Sequence, residues 1–422
     1  MKEILDFFIK VNKLKEMPRT GWVLMEVENP ETVAEHIFGT AVTGWLLSRK
    51  KNLNIEKIIK TTFAHDLCEV YAGDITPFFY YPRLPKDKKE RKKILLKWAR
   101  LLAEEKRKIG KEKFEKEKKA LLKLIKPLNP VFKKEIFSLW LSYEKGLLRE
   151  GKFARQINRI ETLLQSIIFF GTKDIGVRTN WWEWTEEIVD DPLLIDFLKV
   201  IQNKFYGKIL GYQENIYLEN LLEFLWKIQK IKKIPRKYWL ANGIKKPETV
   251  AGHLFTVTLM AWLLGKEKKN LDMEKLLKMA LCHELSAAYT GDTIPYIRKL
   301  PDDAKKRKEI LKRWPRLPED EKAKRFLKEY EEEKEALLNL TANLEPNLKR
   351  EIVGLWKEYR TVSSLEARFL NQINNLAVLF QGLLYQKKYK GYFATPLWEW
   401  AFEKCDDPII LEFLQELHKK LS

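Results

Sequence analysis

AHDLCEVYAGDITPF, residues 64–78, returns as CHELSAAYTGDTIPY, residues 282–296. PETVAEH (30–36) returns as PETVAGH (247–253), KKEIFSLW ending at Trp140 as KREIVGLW ending at Trp356, and QINRIETLLQ from Gln156 as QINNLAVLFQ from Gln372. WEW at Trp182–Trp184, followed by DDPLLIDFL, returns as WEW at Trp398–Trp400 followed by DDPIILEFL. The spacing is 217 positions from His36 to His253, 218 from His65 to His283 and 216 from Asn158 to Asn374. So small a drift over half a chain means a duplicated domain, not a short solenoid unit. A copy of about 200 residues is long enough for a core of its own. We expect one domain over 1–205, a linker over 206–215, where YGKILGYQEN carries two glycines and loses the apolar period, and a second domain over 216–422.

Apolar residues recur at helical intervals almost everywhere, as in Ile4, Phe7, Phe8, Val11 and Leu14. No alternating strand pattern stands out, and Pro18, Pro30, Gly73 and Pro77 punctuate element ends. The expected class is all-α. With 45% hydrophobic and 33% charged residues the chain is not disorder-dominated. It holds no apolar run of the roughly 18 residues that span a bilayer, and its amphipathic first helix does not read as a signal peptide. Cys68, Cys282 and Cys405 form no CxxC or disulfide framework, so the expected setting is cytoplasmic, without membrane contact. The paired Asp190-Asp191-Pro192 and Asp406-Asp407-Pro408 read as helix starts, and the repeated WEW words as packing.

The net charge of +20 is concentrated. Between Lys86 and Lys126, 18 Lys and Arg stand against 7 Asp and Glu, whereas the matching stretch from Lys299 to Glu335 has 13 against 11. A basic stretch of this kind either contacts nucleic acid or a nucleoprotein, or is a solvated Lys/Glu-rich face. Five histidines are present, and four fall at matched positions: His36 with His253, His65 with His283. A lone histidine on an apolar helix is usually a core residue, but His65-Asp66 places an imidazole and a carboxylate side by side. His36 from a second helix adds a third donor, a set that suits Zn, Mn, Fe or Co. Glu69 follows His65 by four residues and Asp66 by three, on one helical face, placed to move a proton of a water at such an ion. Asp74 follows Gly73 just past the expected helix end.

This H…HD…D pattern on an all-α domain resembles the HD-domain metal phosphohydrolases. LKEMPRTGWVLMEVENPETVAEH followed by HDLCEVYAGDITP is similar to the 5′-deoxynucleotidase (YfbR-like) branch, over essentially all of residues 1–205 apart from the charged segment after Pro85. The resemblance implies two tandem HD-domain helical bundles. Members commonly pair as homodimers, so it also implies a pseudo-two-fold arrangement, a pseudo-dimeric monomer or a higher oligomer. It implies that His36, His65 and Asp66 are metal ligands, that Glu69 is the catalytic acid/base with Asp74 a second active-site acid, and that Arg19 and Trp22 lie in the segment holding the substrate phosphate. The family's distal aspartate falls on Asn158, a neutral donor that should weaken binding of a divalent cation. The second copy keeps His253, His283, Arg236 and Asp292 but has Glu284 for Asp66, Ala287 for Glu69 and Asn374 matching Asn158, a degenerate site.

Two functions follow as expectations. One is metal-dependent hydrolysis of ribo- or deoxyribonucleoside 5′-monophosphates at the first site, with the second copy a pseudo-domain. The other is a catalytically silent HD-fold protein that binds nucleotide, RNA or a nucleoprotein partner through its basic surface. Redox chemistry at a metal pair ranks behind both, because further His and Asp ligands are missing.

Overall fold

The computed structural model describes residues 1–76, 85–96, 101–171, 175–207, 212–297 and 300–421. Pro77 and Phe78 of the repeated word, residues 97–100 of the basic stretch and residues 208–211 of the expected linker lie outside this set. The fold is all-α. Among the described residues no strand forms, and only isolated bridges such as Pro18–Thr32 and Pro235–Thr249 occur. The chain divides into two compact units, Asp6–Leu222 and Met1–Leu5 with Glu223–Ser422.

In order, the helices of the first copy are α1 (Lys2–Val11), α2 (Thr20–Leu24), α3 (Val33–Ser48), α4 (Ile55–Ala64), α5 (Glu69–Ala72), α6 (Lys88–Leu95), α7 (Ala103–Ile125), α8 (Pro130–Lys145), α9 (Arg149–Phe170), α10 (Ile175–Glu186) and α11 (Pro192–Tyr206). The second copy repeats them as α12 (Ile216–Ile228), α13 (Lys237–Ala241), α14 (Val250–Gly265), α15 (Met273–Cys282), α16 (Ala287–Thr290), α17 (Ala304–Arg313), α18 (Glu319–Leu340), α19 (Pro346–Thr361), α20 (Leu365–Lys388), α21 (Thr395–Lys404) and α22 (Pro408–Leu421).

Helix α3 is the axis of the first unit. It is apolar around its whole circumference, so every one of its 16 residues is buried, and α4 and α9 pack against it. A capping box starts it: Glu35 N–H donates to Thr32 Oγ1 at 3.3 Å, and Thr32 N–H to Glu35 Oε2 at 2.7 Å. The polar side chains this burial traps return to the backbone, with Thr40 and Thr43 donating to the carbonyls of His36 and Gly39. Full burial of side chains such as Trp45, Leu46 and Leu47 stabilises the packing by roughly 1.5–3 kcal/mol each. The second unit reuses the plan around α14, whose 16 residues are likewise all buried. Asp191 caps α11 through Leu193 N–H at 3.0 Å, with Pro192 in the first turn, as the DDP word predicts.

Candidate functional site

His36 lies one turn into α3, fully buried, and its Nδ1 is 2.6 Å from Glu161 Oε2 on α9, itself fully buried. A carboxylate there accepts a hydrogen bond from Nδ1–H, which turns Nε2 toward Thr40 Oγ1 at 3.5 Å and Asp66 Oδ2 at 3.8 Å. His65 closes α4. Its Nδ1 lies 2.6 Å from Thr62 O, which can only accept, so Nδ1 carries a proton. That bond takes the carbonyl a continuing helix would offer to residue 66, so regular α-helix stops at Ala64 and resumes at Glu69. The single helical face expected for His65, Asp66 and Glu69 is therefore broken by a tight turn. Glu69 N–H bonds Asp66 O at 3.1 Å, three residues back.

The turn points His65 Nε2 at Asp66 Oδ2, 3.0 Å away. His65 Nε2 is buried and makes no hydrogen bond of good geometry among the described residues. A ring nitrogen and a carboxylate oxygen this close in a dry site need a proton or a cation between them. One donor atom from each of His36, His65 and Asp66 falls within 4.8 Å of the others. Two imidazole nitrogens and a carboxylate, with Glu161 orienting one ring, make a donor set that fits a divalent transition-metal ion.

Beside this cluster Arg19 Nη1 lies 3.2 Å from Asp66 Oδ2, 3.2 Å from Asp74 Oδ1 and 3.6 Å from Glu69 Oε1. Gly73 adopts φ +77°, a left-handed turn that suits glycine and delivers Asp74, whose Oδ2 accepts from Thr20 N–H at 2.6 Å. Burial alone would raise the Asp66 carboxyl, but His65, Arg19 and His36 overcome it and hold Asp66 well below the usual range. Glu69 goes the other way: burial, then Asp66 and Asp74, push it well above the usual carboxylate range against the pull of Arg19. Trp22 is 2% exposed and donates Nε1–H to Glu31 Oε1 at 2.9 Å, so its polar edge is already used.

A cavity of about 960 Å³ opens in front of the cluster. Arg19, Asp66, Glu69 and Asp74 line one side, and Asn158, Arg155 and Arg159 of α9 another. Asn158 Nδ2 donates to Tyr143 OH, and its Oδ1 accepts from Thr162 at 3.4 Å. Arg159 stacks on Trp184, 3.4 Å from the ring centroid, and burial, then the charges of Arg155 and Arg19, push its guanidinium down to about 10. Trp181 and Trp184 also line the cavity, so the first WEW word borders it as well as packing. From the basic stretch, Lys106, Arg107, Lys111 and Lys113 on α7 form part of the wall.

The second copy brings the same positions together differently. His253, His283 and Glu284 still offer donor atoms within 4.8 Å of one another. However, His253 Nε2 bonds Asn374 Oδ1 at 2.7 Å, which makes Nε2 the protonated nitrogen and leaves Nδ1 buried without a partner. Glu284 is drawn to Arg236 Nη1, which also bonds Asp292 Oδ1 at 2.9 Å. Burial pushes His253 down to about 4, with Arg236 adding to it, and Glu284 falls to about 2 as Arg236 outweighs its burial. Asp292 rises to about 6 through burial. Ala287 leaves no carboxylate where Glu69 stands, and the cavity here is about 120 Å³.

A family model described as the HD domain matches residues 11–180 and again residues 228–399. The chain belongs to the HD domain family. It carries two such domains in tandem. Among curated relatives, the 5′-deoxynucleotidase HDDC2 of Xenopus laevis is 32% identical over 166 residues, 39% of this chain and 69% of the relative. The human 5′-deoxynucleotidase HDDC2 is 26% identical over 204 residues, covering 48% and 87%. That of Danio rerio is 29% identical over 170 residues, covering 40% and 72%.

Three residues of the first HD domain escape a reading by motif. Glu161 falls on the apolar stripe of α9 with Ile157, Ile160 and Leu164, an unusual place for a carboxylate, and Ala377 stands at the matched position. Arg159 and Arg155 are matched by Asn375 and Asn371, so the basic pair is private to the first copy. No helix is long and apolar enough to cross a membrane among the described residues.

Proposed function

We propose that the first HD domain hydrolyses nucleoside 5′-monophosphates to nucleoside and inorganic phosphate, with a divalent ion (Co, Mn, Zn or Fe) held by His36, His65 and Asp66, and that the second is a catalytically silent copy. The observation that carries this reading is the facing pair His65 Nε2 and Asp66 Oδ2, beside a carboxyl group, Glu69, poised to hold a proton. The 5′-deoxynucleotidase activity printed for the relatives supports it.

A divalent ion held by His36, His65 and Asp66 would supply Lewis acidity toward a phosphoryl oxygen and toward water. Arg19, oriented by three carboxylates, offers its remaining N–H groups to the phosphate. The water oxygen forms the new bond to phosphorus and the bond to the 5′-oxygen breaks. Glu69 gives its proton to that oxygen and regains one from the water. Asp74 holds Arg19 and the α2 N-terminus in place. Asn158 supplies a neutral oxygen where a carboxylate would bind an ion harder, so the expected affinity is reduced.

The test is phosphate release from ribo- and deoxyribonucleoside 5′-monophosphates with Mn²⁺, Co²⁺ or Zn²⁺, using Glu69→Ala as the blank. Release that vanishes in the variant is expected. No release above the blank with any metal would overturn the reading and favour the second one, a nucleotide- or RNA-binding protein without turnover, which Asn158 and the basic wall on α7 support.

A further inference from the structure

Several cations line the first cavity, and they are not equally neutralised. Arg19 is surrounded by Asp66, Glu69 and Asp74. Arg159 has no carboxylate within ion-pair distance among the described residues; its recorded contact is the face of Trp184, and its Nε is shut off from solvent without a hydrogen-bond partner. Arg155, one turn earlier on α9, reaches the backbone oxygen of Glu144 at 3.4 Å and no carboxylate among the described residues. In the facing wall Lys106 pairs with Glu187 at 2.6 Å and Lys113 with Glu117 at 2.7 Å, and Arg107 and Lys111 add to the positive charge around the same space. A guanidinium so placed is unfavourable on its own, and a fold keeps one where a ligand brings the counter-charge.

Three further observations point to what that ligand carries. The guanidinium fork matches a phosphoryl group better than any single-point anion. The Arg159 and Arg19 charges repel each other, so they suit two separate anionic groups of one ligand better than one group shared between them. At about 960 Å³ the cavity stands at the upper end of small-molecule sites, which run to about 1,000 Å³. In the second domain, Asn375 and Asn371 replace the pair and the cavity shrinks to about 120 Å³.

We propose that Arg159, assisted by Arg155, forms a second anion subsite, and that the first domain's preferred ligand is a nucleotide with two phosphoryl groups, one at the His36–His65–Asp66 cluster and one on Arg159. This rests on the nucleotide reading above. A nucleoside 5′-diphosphate and a nucleoside 3′,5′-bisphosphate share that chemistry and differ in how far apart they hold the two groups.

The experiment is calorimetric titration of the full chain, in a Glu69→Ala background with Mn²⁺ to prevent turnover, with the mono-, 5′-di- and 3′,5′-bisphosphate of one nucleoside. At least one doubly phosphorylated ligand should bind about tenfold or more tighter than the monophosphate, the worth of one charge-assisted pair. The ligand that shows the margin identifies the arrangement. Arg159→Gln should remove the margin and shift the monophosphate Kd by less than about threefold, while Arg159→Lys should keep part of it. Equal binding of all three ligands, or a margin that survives Arg159→Gln combined with Arg155→Gln, overturns the proposal. Arg159→Gln loses the stack on Trp184 as well as the cation, so circular dichroism confirms its fold before the margin is read. Monophosphate turnover on the Glu69-intact chain separates the two readings: turnover without a margin sinks the subsite alone, and a margin without turnover sinks the nucleotidase alone.

Discussion

Glu161 should set the metal affinity of the first domain although it touches no metal. Its Oε2 receives the His36 Nδ1 proton across 2.6 Å, with both groups fully buried. A charge-assisted hydrogen bond in such surroundings is worth about 1.5–3 kcal/mol, and a neutral one about half that. Glu161→Gln keeps an acceptor but loses the charge, a difference of about 0.75–1.5 kcal/mol, hence roughly three- to twelvefold weaker metal binding at 1.4 kcal/mol per decade. Glu161→Ala removes the acceptor and frees the ring to protonate its other nitrogen. That should bring the loss to the upper end of the 10–100-fold range of outer ligand partners. The assay is calorimetric titration of metal-stripped protein with Mn²⁺ or Co²⁺, with circular dichroism to confirm that the variants are folded. Folded Glu161→Ala with a Kd within threefold of the parent would refute the argument that His36 is oriented through Nδ1.

Asn158→Asp should tighten binding of the same ions by tenfold or more and raise phosphate release, read by the same titration and a phosphate assay; an unchanged Kd would mean residue 158 does not face the ion. Glu117, pushed up to about 7 chiefly by its burial against the opposing pull of Lys113, keeps its proton in the folded state from about pH 4.5 to 7. Its stabilising contribution is therefore full below about pH 4.5 and is lost as pH rises toward 7, and Glu117→Gln should flatten the melting temperature across that window. His253, pushed down to about 4 by burial and Arg236, has the opposite slope. Its contribution is present above about pH 6.5 and lost as pH falls toward 4, so His253→Gln should remove part of the acid sensitivity of thermal unfolding.

Much of this was legible because the chain repeats itself. Matched words gave the tandem organisation, helical spacing gave the class, and four histidines at matched positions singled out His36, His65, His253 and His283. What stayed hidden depends on contacts between distant segments. Glu161 reads as an ordinary charged residue until α9 is packed on α3 and its carboxylate meets His36, 125 positions earlier. The break after Ala64 could not be seen either, since it arises from a side chain taking a backbone acceptor. The basic stretch reads as a nucleic-acid footprint or a solvated face; that α7 contributes four of its cations to the cavity wall is a placement no charge count reveals.

The two copies also separate causes that a single domain would confound. In the second domain Ala377 removes the acceptor that holds His36 in the first, and His253 answers by giving its Nε2 proton to Asn374 at 2.7 Å. Independently, the longer side chain of Glu284 carries its carboxylate to Arg236, so the surviving histidines lack the carboxylate placed against His65 in the first domain. Neither change accounts for the smaller cavity. That follows from the wall: Phe326 stands where the first domain has Gly110, Arg360 where it has Glu144, and Arg360 lies 4.9 Å from the Phe326 ring and 3.3 Å from Glu333. Tyr296 N–H, held by Glu329 at 2.7 Å, ties the loop after Asp292 to the same wall. Loss of the metal geometry and loss of room for a ligand thus have separate structural origins. Restoring Asp at position 284 and Glu at positions 287 and 377 would therefore still leave the second domain a cavity of about 120 Å³, too small for a nucleotide, against about 960 Å³ in the first.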